Sequence, residues 1–319
     1  MKRFSIYFTS ILLALALCAC GGASPAGPKE TVRIGALKGA TTIGLVKYMD
    51  DEAGKASNVS FQVVTTDEIV PMLIRGEVDM AAIPSNLAAI LYHNTNGAIR
   101  VVAVNTLGLT YIVETGEEIQ SIEDLRGKTV IATGKGAAPE ITLRHILTQN
   151  GIDPDRDVTL EFRSEPGEIV AWLKQSGGVA MLQQPFVTTA MGSVEGLREA
   201  IDLTAEWDKL GAPGTLVIGV FVARADFLER TEDVSAVLAR YRASVEWVNA
   251  HPAEAAPLVE ELGIAPAGAA ERAIPKCNVT FIEGAGMKQL LETYYSVLFE
   301  AAPESIGGEL PGDSLYYVP

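Results

Sequence analysis

Cysteine and histidine are scarce in this sequence. There are three of each in 319 residues, and the histidines lie far apart along the chain. Cys18 and Cys20 close an N-terminal apolar run, which leaves Cys277 as the one cysteine in the remainder of the sequence. This scarcity excludes an intrachain disulfide framework and a cysteine-rich metal site, and the histidine spacing is not that of a zinc site. We predict no metal and no cofactor.

Positive charge is also in short supply. The sequence has 25 Lys and Arg against 40 Asp and Glu, a formal net charge of −15. Removal of an N-terminal leader with its two cations, Lys2 and Arg3, takes this to −17. Such an acidic chain is a poor partner for nucleic acid or anionic lipid head groups. An anionic ligand would therefore have to be held by local positive groups.

Long apolar runs are missing except for a short one near the N-terminus. Lys2 and Arg3 precede the run 6–17, which has the length of a signal-peptide core and is too short to span a bilayer. It closes on "LCAC", which resembles a bacterial lipobox with Cys20 as the lipidated residue, because the preceding Ala19 is small. We predict a signal peptide over 1–19 and a lipoprotein; an ordinary secretory signal is the alternative.

The next segment, 20–30, has the composition of a tether. It reads "CGGASPAGPKE", with glycine, proline and small residues and no apolar periodicity. Such composition favours a flexible link between a membrane-held Cys20 and a folded body. A body of nearly 300 residues usually divides into two domains, and 48% apolar residues suffice for two cores.

Strand and helix patterns alternate from the start of the body. The apolar runs "TVRIGAL", "VSFQVV", "VDMAAI", "RVVAV" and "TYIVE" predict strands. The segments between the first four of these strands have helical periodicity: "TTIGLVKYMDD", "DEIVPMLIRG" and "SNLAAILYH". The order βαβαβαβ favours a mainly parallel sheet covered by helices on both faces.

This series occurs twice. The segment "ALKGATTIGLVKYM" (36–49) matches "TGKGAAPEITLRHIL" (133–147), with Lys38, Gly39 and Ala40 over the next Lys-Gly-Ala. Further on, "EIVPML" matches "EIVAWL", and "VDMAAIPSNLAAI" matches "VAMLQQPFVTTAM". Three ordered matches at nearly one offset predict two copies of the same structural unit.

The Gly-Lys turns of the repeat do not bind nucleotide phosphates in the P-loop manner. A P-loop requires a Ser or Thr after its lysine to hold magnesium, whereas Lys135 is followed by Gly136. Both turns instead lead into a helix N-terminus, where unpaired N–H groups and the helix dipole favour a small anion. We predict two such turns facing each other across a cleft.

Four segments resemble the solute-binding proteins of ABC importers, in the nitrate, sulfonate, taurine and pyrimidine-precursor class. They are "RGEVDMAAIPSNLA" (75–88), "LRGKTVIATGKGAAPEITLRHILTQNGIDPDRDVTLEF" (125–162), "LQQPFVTTAM" (182–191) and "VIGVFVARADFLERTEDV" (217–234). The resemblance implies an α/β, two-lobed periplasmic-binding-protein type II fold, with two doubly covered mixed sheets joined by a two-crossing hinge. The family commonly has an acid before Pro-Phe or Pro-Tyr, and Gln184 takes that place here.

The hinge follows from the same resemblance. We place the outward crossing at 111–114 and the return at 214–220, where extended runs could twist. Lobe 1 would then be 31–112 plus 219–319, and lobe 2 would be 113–218. The closing segment "LPGDSLYYVP" has no helical pattern and is expected on the surface near the cleft mouth.

The candidate ligand-binding residues come from the two turns, from two later helix starts and from the resemblance. For Thr41 and Ser85, helix capping is the competing interpretation, and for the lysines it is a solvated turn. The candidates are Lys38, Gly39, Thr41, Thr42, Ser85, Asn86, Lys135, Gly136, Ala137, Gln184 and Phe186.

The predicted function is capture of a small organic anion, such as a sulfonate, taurine or a carboxylate, and delivery to an ABC permease with its ATPase. We expect a monomer on the extracytoplasmic face of the cell membrane, held by lipid alone. Two alternatives use the same fold: binding of a thiamine-precursor-like pyrimidine through Gln184 and Phe186, or a lyase of the menaquinone-pathway type. No catalytic signature is present in the sequence, so a non-enzyme is predicted.

Overall fold

A computed structural model describes residues 31–318, and the predictions for the leader, the tether and Cys20 lie outside that range. The strands are β1 (Val32–Leu37), β2 (Val59–Val64), β3 (Met80–Pro84), β4 (Ile99–Leu107), β5 (Thr110–Thr115), β6 (Thr129–Thr133), β7 (Thr159–Arg163), β8 (Val179–Gln183), β9 (Leu197–Asp202), β10 (Val217–Arg224) and β11 (Val279–Ile282). The helices are α1 (Ala40–Ile43), α2 (Val46–Glu52), α3 (Thr66–Arg75), α4 (Ser85–Asn94), α5 (Ala138–Gln149), α6 (Pro166–Ser176), α7 (Phe186–Met191), α8 (Leu203–Lys209), α9 (Thr231–Ala250), α10 (Pro252–Glu261), α11 (Ala267–Ala273) and α12 (Gly284–Ala301). Short 3₁₀ helices occupy Ile274–Lys276, Pro303–Ile306 and Asp313–Leu315.

The strands form two sheets with the same parallel centre. The first has the order β11-β4-β10-β3-β1-β2 and the second β7-β6-β8-β5-β9. In the first, β1 pairs in parallel with β2 and β3; in the second, β6 pairs in parallel with β7 and β8. In each parallel centre, the strand that comes first along the chain therefore lies between the second and the third. The repeat predicted from sequence is present as a repeated topology.

Both sheets are mixed, as the two-lobed fold requires. Strand β10 pairs antiparallel with β3 and β4, β11 with β4, and β5 with β8 and β9. The mainly parallel sheet expected from the βαβ order is thus limited to the three-stranded centres. We call the first sheet with α1–α4 and α9–α12 the first lobe, and the second sheet with α5–α8 the second lobe.

The segment predicted as one helix after β1 forms two. Helix α1 ends at Gly44, and α2 begins at Val46. A Cβ on Gly44 would lie 2.9 Å from side-chain atoms of both Val245 and Val279, so glycine permits the close approach of α9 and β11. The hydroxyl of Ser244 donates to the Gly44 carbonyl at 2.6 Å and thereby satisfies the interrupted helix end.

The chain leaves the first lobe earlier than predicted. Residues 111–114, expected to be the outward crossing, are regular β5 and pair with β8 and β9 of the second sheet. The crossing is Gly108–Leu109, between β4 and β5. The return enters the first sheet at Val217, within the predicted 214–220. The exact lobe limits remain a prediction.

Helices cover both faces of each sheet. One apolar cluster fills the first-lobe face under α2, α9, α10 and α11, and another fills the second-lobe face under α6 and α7. A third cluster is continuous across both lobes and includes Trp207 of α8 and Tyr294 of α12. Helix α12 therefore packs on the first lobe, as predicted, and also against α5. Among residues 31–318, no helix combines the length and apolarity needed to cross a membrane.

The C-terminal segment lies away from its predicted place. Instead of crossing the cleft mouth, it runs beside the first half of β4, where Tyr316 forms a parallel bridge with Val101. The Tyr317 amide donates to the Val101 carbonyl at 2.9 Å, and Leu315 is fully buried. The segment thus covers the part of the β4 edge that β11 leaves unpaired.

Candidate functional site

The candidate site lies where two sheet edges meet at the crossings. Strands β1, β3 and β4 end at one edge of the first sheet, and β6 and β8 end at one edge of the second. Pro84 at the end of β3 pairs with Gly219 of the returning β10. Gln184 beyond β8 donates its N–H to the Leu109 carbonyl of the outgoing crossing at 3.0 Å. Both edges therefore flank the same crossings, and the helices α4 and α5 begin at them.

The first turn places its lysine and glycine at the rim. Lys38 is exposed, and its Nζ lies against Gly263 just after α10, 3.0 Å from where a Cβ would stand. The carbonyl end of a helix is a favourable position for a cation. Gly39 is the N-cap residue of α1, in extended backbone, and no side chain caps that helix.

The two threonines of this turn are buried at the first edge. Capping of α1 by Thr41, the competing interpretation to ligand contact, is not observed, because the cap position is Gly39. The Thr41 carbonyl accepts from Asn105 Nδ2 at 3.3 Å, and the Thr42 hydroxyl donates to the Leu37 carbonyl. These contacts lock α1 onto the ends of β1 and β4.

Ser85 and Asn86 begin α4 and are also engaged. Capping of α4 by Ser85, the competing interpretation to ligand contact, is not observed: the N-cap is Pro84, and Ser85 Oγ donates to the Val217 carbonyl at 2.6 Å. Asn86 Nδ2 donates to the Ser305 carbonyl at 3.3 Å. Ser85 thus ties the start of α4 to the start of the returning strand.

The second turn is an exposed glycine loop. Gly134 and Gly136 have φ of 73° and 75°, a left-handed conformation that explains glycine on either side of Lys135. The Gly136 N–H, expected to face a ligand, donates to the Glu140 carboxylate at 2.6 Å. Ala137 is the N-cap of α5, and its N–H donates to the Gly134 carbonyl at 2.9 Å. Lys135 is exposed and supplies the positive charge of this turn.

Gln184 is turned into the protein. It is 1% exposed and precedes a cis peptide bond to Pro185. Its Oε1 accepts from the Thr188 N–H at 3.2 Å and from the Thr188 hydroxyl at 2.8 Å, while its Nε2 donates to Glu199 at 3.3 Å. The amide expected to read a ligand therefore orders the first turn of α7. Phe186, half-buried, is the first residue of that helix.

Four residues at the first edge were not foreseen. Asn105 and Thr106 are buried polar residues that follow the apolar run 101–104 of β4, and the Thr106 hydroxyl donates to Asn105 Oδ1 at 3.0 Å. A Cβ on Gly219 would lie 2.5 Å from that Oδ1, so glycine makes room for the amide. Tyr241 is fully buried behind Asn105, and burial raises its pKa. The polar pair in "VVAVNTL" is the sequence signal that could have identified this group.

Acidic and aromatic groups lie together at the second edge. Glu199 of β9 receives Lys276 Nζ on both carboxylate oxygens, at 2.7 and 2.8 Å. Tyr111 of β5 is buried nearby; burial first, and then the carboxylates of Asp202 and Glu199, raise its pKa. Cys277 next to Lys276 is buried, which raises the pKa of its thiol to about 12 and makes it unreactive.

Two surface cavities lie away from the crossings. One of about 400 Å³ is bordered by Tyr48, Arg240 and Trp247 between α2 and α9. Another of about 560 Å³ is bordered by Ile74 and Arg224 at the opposite end of the first lobe. Neither of these two cavities is lined by a residue of the two edges. Across 31–318 no group of three or more His, Cys, Asp and Glu side chains is placed to hold a metal.

Two mixed α/β lobes joined by a double crossing are the architecture of a two-lobed binding protein. Comparisons with known proteins agree with this architecture. Residues 41–190 match the family described as ABC transporter, phosphonate, periplasmic substrate-binding protein. This range holds most of the first repeat and nearly all of the second. Over these residues, just under half of the chain, the sequence is similar to the periplasmic substrate-binding proteins of ABC importers.

Solved structures show the same fold over nearly the whole chain. An ABC transporter protein from Parabacteroides distasonis is 22% identical, with TM-score 0.74 over 90% of this chain and 98% of its own. The aliphatic sulphonate binding protein SsuA from Escherichia coli is 18% identical, with TM-score 0.71 over 92% and 97%. The nitrate-binding protein NrtA from Synechocystis PCC 6803 is 14% identical, with TM-score 0.60 over 86% and 84%. Compared by sequence with curated proteins, the chain has no match.

Proposed function

We propose that the cleft between the two lobes captures a small organic anion, a sulfonate, taurine-like molecule or carboxylate, for delivery to an ABC permease. The observation that carries this proposal is the duplicated edge: two parallel centres of equal order end at the same pair of crossings. Ligands of open α/β sheets bind at the carboxyl ends of the strands. Here two such ends are available to one ligand.

The charges at these edges support an anion. Helices α4 and α5, of ten and twelve residues, begin at opposite edges, and a helix N-terminus favours negative charge. Lys38 and Lys135 stand exposed beside the two turns. The Gly136 N–H already donates to the Glu140 carboxylate. We therefore assign the attraction of the anion to the second lobe to Lys135 more than to the backbone of its turn.

The names of similar proteins support the same class of ligand. The matched family is described by phosphonate, and two of the structural neighbours by sulphonate and nitrate. All three are oxyanions. The pyrimidine alternative depended on the amide of Gln184, whose oxygen and one N–H are engaged with Thr188 and Glu199. That alternative keeps only Phe186 and is the weaker of the two.

The remaining parts of the proposal concern chemistry and place. The matched family and the neighbours are transport proteins, which supports binding without catalysis over the lyase alternative. We further propose that Cys20 is lipidated, that the segment 20–30 tethers the folded body outside the cell membrane, and that the protein acts as a monomer. The predicted lobe limits are 31–112 plus 219–319 for the first lobe and 113–218 for the second. We keep them except for the boundary between 112 and 113, which we move to the crossing at Gly108–Leu109.

A thermal-shift screen tests the ligand class. Methanesulfonate, taurine, methylphosphonate, nitrate, small carboxylates and a hydroxymethylpyrimidine are compared at equal concentration, since a ligand of the native state raises the melting temperature. We expect at least one anion to stabilise the protein. Stabilisation by the pyrimidine alone would overturn the proposal.

Charge-removing variants test the assigned cations. The double variant Lys38→Gln, Lys135→Gln should lose most of the shift given by the best anion of the screen. Lys174→Gln is the matched control, because this exposed lysine lies on α6 away from the two turns. Undiminished binding by the double variant would show that the anion is held elsewhere.

Lobe closure is a separate test. A ligand that contacts both edges favours the arrangement in which the edges are close. Small-angle scattering should therefore show a smaller radius of gyration with the stabilising anion than without it. Identical curves at saturating ligand would remove the two-edge mechanism while leaving binding intact.

A further inference from the structure

The two lobes touch on both sides of the crossings, and the two contacts differ in kind. On one side α12 packs against α5, and Trp207 of the second lobe meets Tyr294 of the first with ring centroids 5.6 Å apart. Both rings are buried within the apolar cluster that runs through both lobes. We call this the aromatic flank. Separation here would expose a large apolar area.

The other contact includes an accessible ion pair, and we call it the polar flank. Helix α11 of the first lobe lies against α7 of the second, and Lys276 forms an ion pair with Glu199. Their side chains are 44% and 24% exposed. An accessible ion pair contributes little to stability and is screened by salt. Because the aromatic flank is buried and the polar flank is not, lobe opening should separate the polar flank first.

The ion pair is connected to the loop that begins α7. Glu199 Oε1 accepts from Lys276 at 2.7 Å and from Gln184 Nε2 at 3.3 Å. Gln184 in turn orders Thr188 in the first turn of the helix. A buried amide requires partners, so the orientation of Gln184 depends on the position of the Glu199 carboxylate. One carboxylate thereby links a lysine of the first lobe to the cleft loop of the second.

The link also reaches the outgoing crossing. Two residues after Lys276, Asn278 adopts a left-handed conformation with φ of 45°, which Asn tolerates better than most residues. Its side chain donates to the Gly108 carbonyl, and its own carbonyl accepts from the Leu107 N–H at 3.1 Å. The segment that carries Lys276 is therefore fixed to the crossing itself, and Lys276 is held at a defined distance from the second lobe.

We propose that Glu199 is a positioning residue: when the lobes approach on the polar flank, Lys276 fixes its carboxylate, and the carboxylate fixes Gln184 and the start of α7 at the cleft. Opening pivots on the aromatic flank and breaks the ion pair, which releases the loop. The proposal rests on the proposed function only in that α7 borders the ligand cleft. It assigns Lys276 and Glu199 to closure and not to ligand contact.

Hydrogen exchange in ligand-free protein tests the link. In Lys276→Gln, peptides covering 184–192 should exchange about two- to fivefold faster than in wild type, as expected from loss of one accessible ion pair. The change is in the first lobe and the readout in the second. Lys288→Gln is the matched control: Lys288 pairs with Asp313 at 2.9 Å within the first lobe, and it should leave 184–192 unchanged.

Two further variants separate positioning from general destabilisation. Glu199→Gln keeps an acceptor for Gln184 and removes the charge, so combining it with Lys276→Gln should add nothing to either single change. Exchanging the charges, Glu199→Lys with Lys276→Glu, re-forms an ion pair but leaves Gln184 Nε2 without an acceptor, so it should not restore protection of 184–192. Wild-type exchange in Lys276→Gln, or additive effects in the double variant, would overturn the proposal. Since no ligand is present, a negative ligand screen does not affect this result.

Discussion

The hydroxyl of Tyr295 donates a 2.7 Å hydrogen bond to the Ser85 carbonyl, whereas the buried hydroxyl of Tyr294, one residue earlier on α12, faces Thr142 without forming a hydrogen bond of normal geometry. Both side chains are fully buried. Ser85 begins α4 at the first-lobe edge, so Tyr295 anchors a helix start of the cleft. Tyr294 contributes its ring to the aromatic flank and buries an unsatisfied donor.

The adjacent tyrosines should respond oppositely to loss of the hydroxyl. Tyr295→Phe leaves the buried Ser85 carbonyl without this donor and should lower the free energy of unfolding by about 1–2 kcal/mol. Tyr294→Phe removes an unpaired hydroxyl and should be neutral or raise it by about 1 kcal/mol. Urea unfolding of the two variants and wild type measures both. Equal losses in the two variants would contradict the assignment.

Gly219→Ala should weaken ligand binding. The added Cβ would lie 2.5 Å from Asn105 Oδ1 and 2.6 Å from Thr41 Cγ2, so the first-lobe edge must shift. Overpacking of this kind costs about 1–3 kcal/mol, and about 1.4 kcal/mol corresponds to a tenfold loss of affinity. Calorimetric titration with the best anion of the screen measures it. Gly167→Ala is the control, since no atom lies within 4 Å of the corresponding Cβ. Equal affinity in both variants would place the ligand away from Thr41 and Asn105.

His145 should make stability fall on mild acidification. Burial lowers its pKa, with an opposing effect from Glu300, and its ring lies 5.5 Å from that of Trp207. The unfolded chain then binds more protons than the folded one as pH falls below about 6.5, the ordinary histidine value. This contribution is present above that pH and is lost as pH falls towards the folded-state pKa. Between pH 7.5 and pH 5.5, the melting temperature should fall less in His145→Gln than in wild type. Equal falls in the two proteins would contradict the prediction.

Cys20→Ser should release the protein from the membrane. The charged start, the short apolar run and the "LCAC" close provide the features on which lipidation depends. Fractionation of cells should move the variant from the membrane fraction to the periplasm or medium. Cys18→Ser is the matched control and should remain membrane-bound. Retention of both variants in the membrane fraction would show that the anchor is not Cys20.

Much of the fold was predictable because local sequence patterns determine the strands and helices. The β-branched runs became strands, the duplicated segments became two centres of equal order, and the resemblance implied the two lobes. Gly44 was not interpretable in advance, because the helix break it causes depends on Val245 and Val279, about 200 residues away in sequence. The crossing was misplaced because an extended run looks the same in a hinge and in a paired strand.

The candidate site was less predictable, since residue type does not specify the partner. Ser85 and Thr41 had the composition of helix caps, yet their bonds go to the returning strand and to Asn105. Gln184 had the place of a ligand contact, yet its amide is held by Thr188 and Glu199. Apart from the local bonds between Gln184 and Thr188, each of these bonds joins segments whose distance is decided by the assembled sheets. Local sequence carries no record of it.

The strand-like pairing of Tyr317 with Val101 has a consequence for handling the protein. If a protease trims the chain after Leu310, the freed N–H and C=O groups on that part of β4 become available to a strand of another molecule. Leu310 is 47% exposed and lies in a stretch without helix or strand, where cleavage is favoured. Aged preparations should therefore self-associate through the first lobe while the cleft, at the other end of β4, stays intact.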